Sequence, residues 1–132
     1  MAVSPVLVDS SYYITLLRQK RDPLKELALT AATRDLVICG VVRCEVGRAL
    51  KHENTLSRFQ RVWDVMINVP TDNSLWQEVE RLAWMLDREG NILPLTDLVI
   101  ACCAIRAGAV VLTFDTDFFR IPDVIAVREL DR

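Results

Sequence analysis

Pro5-Val6-Leu7-Val8 followed by Asp9-Ser10-Ser11 decides how this chain folds. The apolar run is short, holds two β-branched residues, and stops at residue types that cap helices. It predicts a buried strand that hands the chain straight to a helix N-terminus. Residues 12–20 then read as helix, with Ile14, Leu16 and Leu17 apolar. Arg18, Lys20 and Arg21 fall at its end, where the macrodipole favours cations. Asp22-Pro23 starts a second helix to about Thr33, with proline in the first helical position.

The same alternation continues outward. Leu36-Val37-Ile38-Cys39-Gly40-Val41 reads as a second buried strand, followed by helices over 42–51 and 56–65. Ile67-Asn68-Val69-Pro70 is a short third strand. Over 72–88, Leu75, Val79, Leu82 and Leu86 share one helical face, and Gly90 ends the helix. Pro94-Leu95-Thr96 is expected to cap a helix over 97–107, apolar nearly all round, with Gly108 as its stop. A strand over 109–112, a polar loop or short turn over 115–120, and a last strand over 124–127 complete the chain. Continuous apolar strands alternating with helices imply an α/β fold with a parallel sheet covered on both faces. In such sheets the working groups gather at the carboxyl ends of the strands.

Composition narrows the class. The 132 residues are 52% hydrophobic and 26% charged, an ordinary globular balance, and the reading is one domain over 1–132. The first ten residues lack a basic segment and a long apolar run, so no secretory leader is expected. The longest apolar stretch, residues 98–105, is far short of the ~20 that span a bilayer. Cys39, Cys44, Cys102 and Cys103 form no C-x-x-C, and His52 is the sole histidine, which disfavours a zinc site and a disulfide scaffold. Cys102 and Cys103 read as small buried hydrophobes. These features point to a soluble, cytoplasmic protein. The net charge of −2 hides an asymmetry: residues 1–61 carry ten Lys/Arg against six Asp/Glu, and the remainder reverses the balance. A uniformly basic nucleic-acid binder is excluded.

Four acids stand out by position. Asp9 directly follows the first strand, and Glu45 lies in the helix that leaves the second. Asp97 begins the apolar helix, and Asp115 follows the strand over 109–112, with Asp117 two residues on. In a parallel sheet these ends share one edge. Two carboxylates ~4 Å apart repel by about 4 kcal/mol at an effective dielectric near 20. A cluster must therefore take up protons or hold a cation. Oxygen ligands without His or Cys select Mg²⁺ or Mn²⁺. Such an ion suits phosphodiester hydrolysis, stabilising developing charge and acidifying an attacking water. Taken singly, each acid has a structural explanation: Asp9 and Asp97 as helix caps, Glu45 as a surface partner of Arg48, Asp115 and Asp117 as turn formers.

The ordered set Leu7-Val8-Asp9-Ser10-Ser11, Val42-Arg43-Cys44-Glu45-Val46, Leu95-Thr96-Asp97-Leu98-Val99-Ile100-Ala101 and Leu112-Thr113-Phe114-Asp115-Thr116-Asp117-Phe118 resembles a PIN domain, and more narrowly a VapC-type toxin. The resemblance implies a three-layer α/β/α domain and an Mg²⁺- or Mn²⁺-dependent ribonuclease. It implies that the catalytic quartet is Asp9, Glu45, Asp97 and Asp115, with Asp9, Asp97, Asp115 and Asp117 as metal ligands. Ser11 and Thr113 fall where members carry groups that orient the carboxylates or a bound water. A homodimer silenced by a cognate antitoxin, and an RNA substrate, are implied likewise.

Arg43 and Arg48, nearest Glu45, are the favoured phosphate contacts among the basic residues, with a solvated face as the bland alternative. Trp63, Trp76 and Trp84 are expected in the core, with an interface as second choice. Three other enzyme classes fit poorly. A haloacid-dehalogenase-like phosphatase needs an Asp at position 11, which is Ser. A receiver domain needs a late Lys, and none follows Lys51. The glycine patterns of P-loop and dinucleotide folds are missing. The remaining rivals are a catalytically silent interaction module and a DNA nuclease of related fold.

Overall fold

The computed structural model describes residues 3–130. Among them, five strands form a single parallel sheet: β1 (Val6–Val8), β2 (Leu36–Cys39), β3 (Ile67–Val69), β4 (Val110–Leu112) and β5 (Ala126–Val127). Six helices flank it: α1 (Ser10–Arg18), α2 (Pro23–Ala31), α3 (Gly40–Gly47), α4 (Glu53–Trp63), α5 (Asn73–Arg88) and α6 (Leu95–Ala107). A 3₁₀ turn covers Thr116–Arg120. The architecture is the three-layer α/β/α arrangement that the continuous apolar strands required.

The strand order is β3-β2-β1-β4-β5. The chain steps outward from β1 to β3, then returns across the sheet to β4. Right-handed crossovers consequently put α1–α4 on one face and α5–α6 on the other. Tyr13, Phe59 and Trp63 pack together from α1 and α4, as this requires. Each is almost wholly buried, and Trp63 Nε1 donates to the Tyr13 hydroxyl at 3.2 Å, so neither polar tip is left unsatisfied. Burial of each such ring contributes on the order of 1.5–3 kcal/mol.

The direction of winding reverses between β1 and β4, which makes the crevice at their carboxyl ends the switch point of the sheet. Val6, Leu7 and Val8 pair with Val110, Val111 and Leu112, so Asp9 and Thr113 leave adjacent strands at the same level. The Asp9 N–H donates to Leu112 O at 2.9 Å, which locks that level.

Helix α6 is apolar on all sides because it is covered on nearly all sides: every residue from Asp97 to Ala104 is buried. It packs on α5 and beneath β2, β3 and β4. Gly108 ends it in the left-handed region (φ 63°), which glycine adopts without a side-chain clash. Its start differs from the expectation. Pro94, not Thr96, is the N-cap residue, and Thr96 is exposed within the first turn. The proline ring presets φ and its carbonyl already accepts from the N–H groups of Asp97 and Leu98, so the helix opens earlier. Asp97 thereby sits at the third helical position.

The tryptophans divide. Trp63 is core, but Trp76 is 44% and Trp84 60% exposed. The buried stripe of α5 is Leu75, Val79 and Leu86, and the two tryptophans lie to its side. All four cysteines are free thiols, and Cys39, Cys102 and Cys103 are buried. Among the described residues no helix is long and apolar enough to cross a membrane.

Candidate active site

Asp9 follows β1 and caps α1. Its Oδ2 accepts from the Ser11 N–H at 3.2 Å, the Ser11 hydroxyl at 2.7 Å and the Thr113 hydroxyl at 2.9 Å. The local sequence produces this directly. A capping aspartate bonds to the second helical residue, and a serine there adds its hydroxyl. The level ends of β1 and β4 bring in Thr113. The two hydroxyls also lie 3.1 Å apart, and each accepts a further backbone bond: Phe114 N–H donates to Ser11 Oγ at 3.0 Å, and Asp115 N–H to Thr113 Oγ1 at 2.9 Å. All three donors meet one oxygen, and none of them engages Oδ1. Burial is the largest influence on Asp9 and raises its pKa, opposed by the Ser11 and Thr113 bonds.

Glu45 projects from α3, where the buried Ser10 hydroxyl donates to its Oε1 at 2.7 Å. Sequence reasoning missed Ser10; its position between Asp9 and Ser11 was the available signal.

Asp97, Asp115 and Asp117 form a tighter group, with one carboxylate oxygen of each within 4.8 Å of the others. Asp115 caps the 3₁₀ turn, its Oδ1 accepting from Asp117 N–H at 2.9 Å, and that turn swings Asp117 back toward α6. Asp117 also lies 3.6 Å from Arg120. At such separations each carboxylate pair repels by about 3 kcal/mol at an effective dielectric near 20. The N-terminus of α6 favours an acid by only about 0.3–1 kcal/mol. Burial, then the charges of Asp115, Asp9 and Asp117, therefore prevail, and the Asp97 carboxyl is pushed up to about 7. Its Oδ2 is buried with no hydrogen-bond partner.

Asp9, Glu45, Asp97 and Asp115 line one open cavity of about 270 Å³, together with Ser10, Ser11, Ile14, Thr15 and Arg18. Four acids separated widely in the chain thus share one rim, and Asp117 adjoins it through Asp97 and Asp115. Asp9 lies on the cavity but outside the three-carboxylate group. The residues fit a hard divalent cation: the donors are all oxygens, and the unpartnered Asp97 Oδ2 lacks only a positive partner.

The basic residues are arranged otherwise than expected. Arg43 lies two positions from Glu45, on the far side of α3. Its Nη1 pairs with Asp64 at 2.9 Å, and its guanidinium sits 5.4 Å from the Trp63 ring centroid. Arg48 is exposed just past the helix end. Neither lines the acidic cavity. Arg18 does, and its spacing from Ser11 and Thr15, seven and three residues, places it on the same face of α1. That periodicity was readable in the sequence.

Comparison with known proteins agrees with this geometry. The chain is 32% identical over 95 residues to "Ribonuclease VapC6" of Mycobacterium tuberculosis, covering 70% of this chain and 75% of the relative. It is 28% identical over 114 residues to "Ribonuclease VapC21" of the same organism, covering 83% and 77%. The crystal structure of DNA-bound VapBC from Salmonella typhimurium superposes with a TM-score of 0.76 at 20% identity, over 95% of this chain and 98% of that one. The sequence pattern of the PIN domain matches residues 6–124, which includes every acid of the rim, and the chain belongs to the PIN domain family.

Proposed function

We propose that this chain is an Mg²⁺- or Mn²⁺-dependent endoribonuclease that hydrolyses RNA phosphodiester bonds, acting as the toxin of a type II toxin–antitoxin pair. The observation that carries the reading is the acidic rim, above all the buried, unpartnered Asp97 oxygen among three other carboxylates. The kinship with proteins named ribonucleases, and with VapBC complexes, supports the choice of substrate and of a cognate antitoxin as partner. A homodimer in the cytoplasm is part of the same reading.

In this mechanism Asp97, Asp115 and Asp117, with Asp9 on the same cavity, would hold the cation. When bound, it supplies positive charge to the scissile phosphate and lowers the pKa of water. Ser11 and Thr113 clamp one Asp9 oxygen and leave the other free to ligate. Ser10 fixes the Glu45 carboxylate, which accepts a proton from the attacking water. Arg18, on the α1 wall of the cavity, contacts a phosphate oxygen. Hydrolysis leaves a phosphate on one RNA fragment and a hydroxyl on the other.

The test is cleavage of single-stranded RNA by the purified chain. Mg²⁺ or Mn²⁺ restores activity after chelation, and Asp97→Asn lowers it by on the order of 10²–10³-fold. Expression of the wild type arrests growth of its host and expression of Asp97→Asn does not. A wild type that is tolerated, binds no divalent ion and leaves RNA intact would mark the domain as a silent interaction module.

A further inference from the structure

A second cavity, of about 540 Å³, opens on the other side of α1 from the acidic one. Its walls include Tyr12, Leu16, Arg21, Phe114 and Arg128. The rings of Tyr12 and Phe114 are stacked, with centroids 5.2 Å apart and planes 21° from parallel. Phe114 remains 38% exposed. Both residues adjoin the acidic rim in the chain: Tyr12 follows Ser11, and Phe114 lies between Thr113 and Asp115. The Phe114 N–H donates to Ser11 Oγ, the same hydroxyl that donates to Asp9. The ring pair is therefore tied by two hydrogen bonds to a carboxylate of the site. Arg21 and Arg128 bring positive charge to this cavity and Glu129 brings negative charge, and Arg21 also pairs with Glu26.

We infer that the Tyr12–Phe114 pair is a stacking platform for a nucleobase next to the scissile phosphate, with the backbone of single-stranded RNA running from the acidic cavity past α1 toward Arg21 and Arg128. The inference rests on the ribonuclease reading above and adds the residues that grip the substrate. A flat aromatic surface beside cationic side chains suits unpaired RNA, whose exposed bases stack on rings while arginines follow the phosphates. Every base has a π face, so the platform governs affinity more than sequence choice.

The test uses the full chain carrying Asp97→Asn, in Mg²⁺ buffer, with single-stranded RNA bearing 2-aminopurine at successive positions. Stacking quenches the fluorescence at one or two positions on binding. Phe114→Leu keeps an apolar contact with Tyr12 but has no π face; it removes the quenching and weakens RNA binding about tenfold, and Phe114→Trp restores both. In the cleavage-competent chain Phe114→Leu raises KM about tenfold with kcat within about twofold. Quenching and KM unchanged in Phe114→Leu overturn the platform. So does a variant that handles RNA normally but loses affinity for a protein partner, because the cavity is then a protein-docking surface. If the wild type cleaves no RNA, the ribonuclease reading falls, and the quenching measurement still decides: quenching lost with Phe114→Leu upholds the platform, and RNA binding without quenching overturns it.

Discussion

Asp9 and Asp97 are both buried acids on one cavity, and they are treated in opposite ways. Asp9 has three donors on a single oxygen. Asp97 has a buried oxygen with none, and three carboxylates nearby. One acid is held in place by the fold; the other is left with a buried oxygen unsatisfied among like charges. A site needs both kinds. The first gives geometry before any ligand arrives, and the second makes the ligand favourable.

The sharpest way to break this contrast is Asp97→Asn. Loss of a charge that the site is organised around should lower RNA cleavage by on the order of 10²–10³-fold. The same change should raise the stability of the metal-free protein at pH 8 by about 1–2 kcal/mol, since repulsion is relieved. Urea denaturation in chelator measures the second effect. If the Asp97→Asn variant is instead less stable than wild type, Asp97 is satisfied by contacts within the fold. Thr113→Val probes the other acid. It removes a donor from Asp9 and an acceptor from the Asp115 N–H within a buried site. The same denaturation should show a loss of about 1–3 kcal/mol. The two substitutions, one on each side of the comparison, should move stability in opposite directions.

pH sharpens the difference further. The folded-state pKa of Asp97, about 7, lies above its ordinary value of 3.8, so the folded chain binds more protons between those values. The contribution of Asp97 to the stability of the metal-free protein is then fully present below about 3.8 and is lost as pH rises through about 7. Asp9, raised by burial, contributes with the same sign. Melting temperatures in chelator should fall between pH 5.5 and 8, the fall should be shallower in Asp97→Asn, and excess Mg²⁺ or Mn²⁺ should restore wild-type stability at pH 8 by about 2–3 kcal/mol at a hundredfold excess over Kd. The smallest effect separates two arginines. Arg18→Ala should weaken RNA binding a few-fold and reduce the slope of log affinity against log salt by about one. Arg43→Ala, removed from the cavity and paired with an exposed Asp64, should leave RNA binding within about twofold and cost at most about 1 kcal/mol of stability.

Most of the fold was legible because its signals are local. The apolar run ending at Asp9, the stripe Leu75, Val79 and Leu86, and the stop at Gly108 each carry their own physical reason, whereas the second strand ends at Cys39, two residues before its apolar run does. The positions of Asp9, Glu45, Asp97 and Asp115 followed from the topology once the sheet was read as parallel. What the sequence hid depends on side-chain direction. Arg43 looked close to Glu45 because nearness along the chain is not nearness across a helix. Trp76 and Trp84 looked like core because aromatic area usually is, although their phase on α5 places them beside the buried stripe. The approach of Asp117 to Asp97 depends on how the 3₁₀ turn over Thr116–Arg120 swings that side chain, a direction that the expected polar loop or short turn does not specify.

The pairing of Val8 with Leu112 sets Asp9 beside Thr113, and a displacement of β1 by one residue would turn the carboxylate to the opposite face of the sheet. Chemical competence is therefore withheld until the strands have aligned. On the proposed function, a half-assembled or misaligned chain would lack the joined rim, and RNA hydrolysis would be confined to molecules that have finished folding.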